Sequence, residues 1–358
     1  MLKVLELFSG YGSQALALEN LDIEFTSDIS EIDKYAIEAY NQIHGQTKNY
    51  GDICKINEAE LPEYDLITYS SPCQDFSIAG LRKGGDKDSG TRSSLLWECE
   101  RIIRSVKPKY LLMENVKNLV GKRFKPCFDA WLRTLEEIGY RNCWKVLNAK
   151  DYGVPQNRER VFVVSIRKDL NQTYLFPEKQ ELKIRLKDIL EKEVGNEFWV
   201  SDQFKKYMKG KENKKYNFRV EISEQDGIRK TPIRASGDLA VVYVGNCLYP
   251  EKGYTGHNYA GATFDEDGLS PNLTSMSGGN RQPFVLNRCK EEMIRRLTTR
   301  ECWRLMGVKD KQFDRLHGIS KTQLYKMAGN SIVVDVLMAI FKNLLISDKE
   351  TKGQLSLL

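Results

Sequence analysis

The first half of the chain alternates short apolar runs with segments of helical periodicity. The apolar runs, which have the length of β-strands, are Lys3 to Phe8, Glu24 to Asp28, Leu66 to Ser70, Tyr110 to Glu114, Cys143 to Asn148 and Arg160 to Ile166. The helical patterns between them are Ser13 to Asn20, Asp33 to His44, Ser93 to Arg104 and Phe124 to Ile138. This alternation predicts an α/β fold with a mostly parallel sheet and helices on both faces. In such a sheet, ligands bind at the C-terminal ends of the strands.

The pattern changes after Asp169. Residues 170–285 are rich in lysine and turn residues and show no regular alternation, which is typical of a second, irregular domain. A helix is predicted again from Thr298 to Met306, because this segment opens with the spacing of a capping box. A further amphipathic segment follows Asn330, so the chain is expected to end in helices.

Composition argues against a membrane-spanning or secreted protein. Of the 358 residues, 41% are hydrophobic and 29% are charged, and no run approaches the ~18 uninterrupted apolar residues of a membrane span. The N-terminus enters a strand-like run without the basic region or cleavage site of a signal peptide. The eight cysteines include no C-x-x-C pair and the three histidines lie far apart. We therefore expect a cytoplasmic protein with reduced thiols and no metal site.

Positive charge is concentrated between Gln203 and Arg219. This segment holds seven basic residues against one acidic residue, a net charge equal to the +6 of the whole chain. Aromatic side chains are interleaved with the charges at Phe204, Tyr207, Tyr216 and Phe218. A polyanion such as nucleic acid would be a suitable partner. A solvated surface segment is the alternative interpretation.

A glycine turn follows the first predicted strand. Gly10, Gly12 and Ala15 fit the G-x-G-x-x-A pattern, in which the backbone can approach an adenine nucleotide closely. Such a turn can bind the dinucleotide of a dehydrogenase or S-adenosylmethionine, or it can be only a tight strand-to-helix connection, and the spacing does not separate the three. Acids that could accept hydrogen bonds from a ribose or from an adenine amino group follow at Asp28, Glu31 and Asp52.

Residues suited to covalent chemistry follow three other predicted strands. Most cysteines are buried and inert, but Cys73 lies in a polar loop just after Pro72 ends a strand, where a thiol can act as a nucleophile. Glu114 ends a second strand and could serve as an acid beside the thiol. Arg158 and Arg160 lie two residues apart at the start of a third strand, so they are expected to point the same way and to form a rim for a polar, planar ligand.

Taken in order, these pieces resemble the motifs of the DNA (cytosine-5)-methyltransferases over essentially the whole chain. The matching segments are Phe8-Ser9-Gly10-Tyr11-Gly12, Glu31-Ile32-Asp33, Gly51-Asp52-Ile53, Pro72-Cys73-Gln74, Glu114-Asn115-Val116, Gln156-Asn157-Arg158-Glu159-Arg160, Arg296-Leu297-Thr298-Thr299-Arg300-Glu301 and Gly329-Asn330-Ser331. A Pro-Cys-Gln triplet is expected by chance only about 0.01 times in this composition, so the ordered set is specific. Ser9 and Ser13 depart from the alanine and glycine common in the family, but both are small enough to leave the turn open.

The resemblance implies S-adenosylmethionine as the cofactor, with S-adenosylhomocysteine as the product. By this similarity Phe8 would stack on the adenine, Glu31 would bind the ribose and Asp52 the adenine amino group. The rest of the implied pocket consists of Gly10, Gly12, Ile53, Pro72, Leu95 and Asn330.

The same resemblance implies catalytic roles for four residues. Cys73 would be the nucleophile that adds to C6 of cytosine, and Glu114 would hold the N3/N4 edge of the base protonated. Arg158 and Arg160 would be active-site arginines, with Arg160 nearer the O2 of the base. Because none of this chemistry is possible inside a stacked duplex, the target base would have to be flipped out.

The resemblance also implies a domain organisation and partners. Residues 1–175 would form a Rossmann-like, cofactor-binding catalytic domain, residues 176–319 a target-recognition domain, and residues 320–358 a helical segment that returns to the catalytic domain. The partner would be double-stranded DNA, and a restriction endonuclease acting on the same site is a further candidate. We expect a cytoplasmic, nucleoid-associated monomer of a bacterium or a phage-infected cell. The implied DNA contacts are Gln74, Ser77, Lys205, Lys206, Lys214 and Lys215.

Two other functions stay open at this point. A tRNA cytosine-5 methyltransferase would share the motifs, although the long region after Asp169 favours DNA, because reading a groove needs an extended surface. A nicotinamide-dependent oxidoreductase would fit the glycine turn alone, but it would leave Cys73, Glu114 and the arginine pair without a role.

Overall fold

A six-stranded sheet is the centre of the part of the chain that the structure describes. The structure is a computed structural model, and it describes residues 1–70, 95–199, 263–265, 269–270, 272–273, 275, 283–287 and 293–346. The sheet has the strand order β2-β1-β3-β4-β6-β5. Its strands are β1 (Leu2–Leu7), β2 (Phe25–Ser30), β3 (Leu66–Tyr69), β4 (Tyr110–Val116), β5 (Tyr140–Asn148) and β6 (Glu159–Arg167).

The sheet is mostly parallel, as the sequence predicted. Strands β1 to β4 pair in parallel, whereas β6 runs antiparallel to both of its neighbours, β4 and β5. Residues 149–158, which join β5 to β6, are too few for the helical crossover that a parallel pair requires. The chain therefore returns as a hairpin, and β6 fills the place between β4 and β5.

Helices cover both faces of the sheet. The helices of the first half are α1 (Ser13–Asn20), α2 (Lys34–His44), α3 (Leu95–Val106) and α4 (Lys125–Ile138), and those of the C-terminal part are α5 (Thr299–Arg304), α6 (Asp310–Phe313), α7 (Lys321–Asn330) and α8 (Val334–Phe341). The capping box predicted for α5 is present, since Thr298 Oγ1 accepts from the Glu301 amide at 3.1 Å and a Glu301 carboxylate oxygen accepts from the Thr298 amide at 2.8 Å.

Alternate residues of each strand belong to two separate apolar cores. Val4, Leu66 and Leu112 are buried in the core that includes α1, α2 and α8. Their chain neighbours Leu5 and Ile67 are buried in the core that includes α3 and α4. Because successive side chains of a strand point to opposite faces, continuous apolar strands supply both cores at once.

The C-terminal part of the chain returns to the first core. Leu297 and Trp303 are buried in the same cluster as Val4, although the sequence placed them in the target-recognition domain. A small sheet precedes them, with strands β7 (Thr263–Asp265), β8 (Phe284–Asn287) and β9 (Met293–Arg296). The boundaries 1–175, 176–319 and 320–358 stay a prediction.

One helical run, Lys321–Ile346, is long and apolar enough to cross a membrane by length and composition, with a mean hydropathy of 1.6 in its most apolar window. Half of that window is buried within the protein. The run is interrupted between Asn330 and Val334, and α8 packs against α1. These contacts are those of a core helix, which passes the same test of length and hydropathy.

The chain leaves the C-terminal ends of β1 and β3 in opposite directions across the sheet. These strands are neighbours, but β2 lies beyond β1 on one side and β4 lies beyond β3 on the other. Open α/β sheets bind their ligands in the crevice at such a switch point. The register places Tyr69 of β3 opposite both Leu7 of β1 and Met113 of β4. Phe8, Ser70 and Glu114, the next residue in each case, therefore share one edge of the sheet.

Candidate active site

The predicted glycine turn lies at this edge and adopts a left-handed backbone. The φ angles of Phe8, Gly10 and Gly12 are 58°, 58° and 85°, and a non-glycine residue with such an angle is strained in a way that is frequent at functional sites. A Cβ built on Gly12 would lie 2.5 Å from Nε2 of His44, so no larger residue fits there. A Cβ built on Gly10 would meet nothing within 4 Å, so the backbone of the turn is open to a ligand on that side.

The carboxylate of Glu31 is held against this turn. One of its oxygens accepts a hydrogen bond from the Gly10 amide at 2.9 Å, and the other accepts from the amides of Ile32 and Asp33 at 2.8 Å. The side chain of Asn49 fixes the backbone of Glu31, because its Oδ1 accepts from the Glu31 amide and its Nδ2 donates to the Glu31 carbonyl. Glu31 is half-buried, so it can still accept hydrogen bonds from a ligand hydroxyl group.

The apolar residues predicted for the cofactor pocket come together beside the turn. Phe8 and Leu95 both pack on the cluster that contains Ile53, which is 3% exposed. Asp52 caps the short turn that begins at Ile53, where its Oδ1 accepts from the Cys54 amide at 3.1 Å. Asn330 differs from these residues: it is exposed at the end of α7.

Sequence reasoning missed an apolar residue at the rim. The side chain of Ile32 is 74% exposed, although it directly follows Glu31. An exposed large aliphatic group beside a fixed carboxylate provides an apolar surface and a hydrogen-bond acceptor together, which suits a nucleoside. The sequence signal was its position between two acids, but only the structure shows that the side chain is uncovered.

Glu114 and Arg160 form a close ion pair at the same edge. Glu114 Oε1 lies 3.2 Å from Nε of Arg160, and Glu114 is only 8% exposed. Burial raises the pKa of the Glu114 carboxyl above its ordinary value, and the charges of Arg160 and then Arg158 oppose that effect. An acid whose pKa is raised keeps its proton more readily, so Glu114 is suited to donate a hydrogen bond to a ring nitrogen.

Arg158 is buried rather than exposed on a rim. Arg158 is only 3% exposed. Its guanidinium group donates four hydrogen bonds of 2.6–3.0 Å. The acceptors are Oδ1 of Asn272 and the carbonyl oxygens of Leu273, Gly329 and Ser331. Arg158 thus joins the start of β6 to two segments that lie more than a hundred residues further along the chain.

Asn272 connects the two arginines. Its Oδ1 accepts from Nη1 of Arg158 at 2.7 Å and from Nη2 of Arg160 at 3.3 Å. The two guanidinium groups therefore meet at one side chain, in agreement with the prediction that they point the same way. Asn272 carried no signal in the sequence, because its partners are 112 and 114 residues away.

The remaining predicted site residues cannot be placed. Segments 71–94 and 200–262 lie outside the described residues. The predicted site residues in these segments are Pro72, Cys73, Gln74, Ser77, Lys205, Lys206, Lys214 and Lys215.

The order of these features along the chain matches one protein family. A sequence model of the C-5 cytosine-specific DNA methylases matches residues 2–345. The chain belongs to this family. As the resemblance implied, the methylase is therefore a DNA cytosine-5 methyltransferase, and its family implies S-adenosylmethionine-dependent methylation of cytosine. The oxidoreductase alternative is not favoured.

Individual relatives agree with this assignment. The methylase is 38% identical to the type II methyltransferase M2.ScrFI of Lactococcus lactis subsp. cremoris, with 96% of this chain and 99% of that protein covered. It is 34% identical to the type II methyltransferase M.HhaI of Haemophilus parahaemolyticus, with 96% and 94% covered. The fold resembles that of the Schizosaccharomyces pombe Dnmt2 methyltransferase, with a TM-score of 0.65 at 21% identity and coverage of 98% and 99%.

Proposed function

We propose that this methylase transfers the methyl group of S-adenosylmethionine to C5 of a flipped-out cytosine within a specific double-stranded DNA sequence, through a transient bond between Cys73 and C6 of the base. The observation that carries the proposal is the buried Glu114–Arg160 pair at the sheet edge that also carries the glycine turn. An acid and a cation side by side match the N3 and O2 positions of a cytosine. The motif with Cys73 follows Ser70 of this edge in the sequence.

The residues around the turn fit the cofactor. The open face of Gly10 leaves room for close approach, the fixed Glu31 carboxylate can accept hydrogen bonds from a ribose, and the apolar surfaces of Phe8 and Ile32 suit the two faces of an adenine. Asp52 caps the 3-10 turn that begins at Ile53, and Ile53 belongs to the cluster on which Phe8 packs. When bound, S-adenosylmethionine supplies a methyl group on a positively charged sulfur, which is the electrophile that the reaction needs.

The base must be activated before it can accept a methyl group. Carbon 5 of cytosine is a poor nucleophile while the ring is aromatic. In the proposed route the Cys73 thiolate adds to C6 and forms a C–S bond, while Glu114 donates its proton or a hydrogen bond to N3. C5, which then has enamine character, would take up the methyl group as the bond from the methyl carbon to the sulfonium sulfur breaks, and S-adenosylhomocysteine would leave. Loss of the C5 proton to a base breaks the C–S bond and returns the cysteine as a thiolate.

Arg160 is suited to hold the other edge of the base. Its side chain is 14% exposed, so the guanidinium reaches the surface of the site while it pairs with Glu114. In the proposed complex it would donate to O2 of the cytosine and stabilise negative charge that develops on the ring. We assign Arg158, whose two terminal guanidinium nitrogens donate to other segments, to support Arg160 through Asn272.

DNA is the proposed substrate and flipping the proposed means of access. A base inside the duplex cannot present both C6 and its N3 edge, so the cytosine would leave the stack at a cost of a few kcal/mol. The basic segment 203–219 has the charge and the aromatic residues for contacts with the DNA backbone, with Lys205, Lys206, Lys214 and Lys215 as its candidates.

We further propose a monomeric, cytoplasmic enzyme. A restriction endonuclease of the same specificity is a candidate partner, although relatives include an orphan phage methyltransferase.

The test is transfer of a labelled methyl group to duplex DNA, with bisulfite sequencing to locate 5-methylcytosine. Cys73→Ala should abolish transfer and leave binding of S-adenosylhomocysteine intact. Cys143→Ala is the matched control, because Cys143 lies on the edge strand β5 and should keep full activity. A substrate oligonucleotide with 5-fluorocytosine should become covalently attached to wild type but not to Cys73→Ala. Continued methylation by Cys73→Ala would refute the nucleophile assignment, and preferential methylation of tRNA would refute the proposed substrate.

A further inference from the structure

A histidine lies directly beneath the glycine turn. His44 is in the last turn of α2, and its side chain is only 6% exposed. Its Nε2 lies 3.1 Å from the carbonyl oxygen of Tyr11, the residue between the two glycines of the turn. The close approach is possible because Gly12 has no side chain, as a Cβ there would overlap the imidazole ring.

The second ring nitrogen is occupied as well. Nδ1 of His44 lies 2.6 Å from a carboxylate oxygen of Glu19 on α1. A carbonyl oxygen can only accept a hydrogen bond, so the contact with Tyr11 requires a proton on Nε2. The contact of Nδ1 with the Glu19 carboxyl group holds the ring in this orientation.

His44 fixes the orientation of one peptide group of the turn. The carbonyl of Tyr11 and the amide of Gly12 belong to the same peptide plane. The carbonyl contacts His44, and the amide donates to the carbonyl of Ser9 at 3.0 Å. This plane is set by ψ of Tyr11 and φ of Gly12, so holding it on both sides supports the left-handed φ of 85° at Gly12. The same short turn carries the Gly10 amide that donates to Glu31.

We propose that His44, oriented by Glu19, is a positioning residue for the cofactor: its Nε2–H holds the Tyr11 carbonyl and thereby keeps the glycine turn in the shape that binds S-adenosylmethionine. His44 contacts no part of the proposed substrate, so it acts through the turn. The proposal rests on the proposed function only in that the turn binds this cofactor. It implies that a donor at the Nε2 position matters for affinity, whereas the bond from Nδ1 to Glu19 serves to orient the ring.

Two substitutions separate the two nitrogens. The amide nitrogen of glutamine occupies about the position of imidazole Nε2, and that of asparagine about the position of Nδ1. His44→Gln can keep the bond to Tyr11, whereas His44→Asn can keep only the bond to Glu19. We expect His44→Asn to raise the Kd for S-adenosylhomocysteine, measured by calorimetry, about fivefold, and we expect His44→Gln to stay within about twofold of wild type.

Kinetics and hydrogen exchange add readouts that a loss of packing would not reproduce. His44→Asn should raise KM for S-adenosylmethionine and leave kcat at saturating cofactor within about twofold of wild type. In the cofactor-free protein, the Gly12 amide should exchange faster in His44→Asn than in His44→Gln. Thermal melting of both variants reports their folding, and similar melting temperatures with different affinities would support the proposal.

Three outcomes would overturn it. Equal affinities of the asparagine and glutamine variants would show that the donor at Nε2 is unimportant. A fall in kcat without a change in KM would place His44 in another role. Unchanged exchange at Gly12 in His44→Asn would show that the turn does not depend on this bond. If wild type itself fails to bind S-adenosylhomocysteine, the proposed cofactor is wrong and this proposal falls with it, so the two failures are distinguished by the wild-type measurement.

Discussion

Arg158 and Arg160 are two residues apart in one motif, yet the structure gives them different surroundings. Arg158 is buried and donates four hydrogen bonds to two distant segments, whereas Arg160 pairs with Glu114 and remains partly exposed. We therefore predict that Arg158→Lys lowers the stability of the fold far more than Arg160→Lys does. Both substitutions keep the positive charge, so they isolate the hydrogen-bonding geometry of the guanidinium.

The size of the effect follows from the acceptors. Nη1 of Arg158 serves the segment at Asn272, and Nη2 serves the carbonyls of Gly329 and Ser331. A lysine ends in one nitrogen and can reach only one of these two pairs. The loss of two charged hydrogen bonds at about 1.5 kcal/mol each lowers the free energy of unfolding by about 3 kcal/mol. For Arg160→Lys, which can keep its ion pair with Glu114, we expect a loss of less than about 1 kcal/mol.

Urea unfolding followed by intrinsic fluorescence measures both values, with the slope of the transition checked against wild type. The rate of methyl transfer, measured at a temperature where both variants are folded, tests the catalytic roles of the two arginines separately. There Arg160→Lys should be the more damaged enzyme, because its guanidinium is the one at the surface of the site. If Arg158→Lys unfolds within about 0.5 kcal/mol of wild type and is nonetheless inactive, Arg158 acts in the chemistry and the structural assignment is wrong.

Two further predictions concern buried carboxyl groups. Burial raises the pKa of Glu114, so the free energy of unfolding of wild type should fall relative to that of Glu114→Gln as the pH rises through the raised pKa. The kcat of the variant should fall at least about 100-fold, because the acid is lost. Parallel pH profiles of stability for the two proteins would contradict the first expectation. Burial also raises the pKa of Asp335 to about 6. As the pH rises from 4 to 7, the free energy of unfolding of Asp335→Asn, measured in urea, should therefore increase by about 2 kcal/mol relative to that of wild type. Asp310→Asn is the control with the opposite sign, because Arg304 lowers the pKa of Asp310.

The sheet could be predicted from the sequence because its physics is local. Continuous apolar runs of strand length are needed wherever both faces are covered, and the predicted run from Leu66 to Ser70 differs from β3 by one residue. The predicted helix from Ser13 to Asn20 coincides with α1. The turn between β1 and α1 was likewise visible, since a backbone with positive φ at two positions selects glycine.

The contacts that assemble the site could not be predicted in this way. The hydroxyl of Tyr11 donates to Oγ of Ser331 at 2.9 Å, and its ring stacks on Trp303 at 4.3 Å, across about 300 residues of sequence. Three of the four acceptors of Arg158 are backbone carbonyls. Every residue has a carbonyl oxygen, so no residue type marks these positions. Pairing across such distances is decided by tertiary packing, which a single sequence does not display.

Asn272 connects the region predicted to recognise the target to both arginines of the candidate active site. It lies in the region that the sequence assigned to target recognition, and its Oδ1 accepts from both Arg158 and Arg160. Arg160 in turn contacts Glu114. A shift of the segment at Asn272 would therefore reach the proposed acid through one side chain and one ion pair. Because Arg158 ties the same segment to Gly329 and Ser331, that shift is opposed by buried hydrogen bonds. The guanidinium of Arg160, which we propose to face the base, would therefore be held in place before DNA binds.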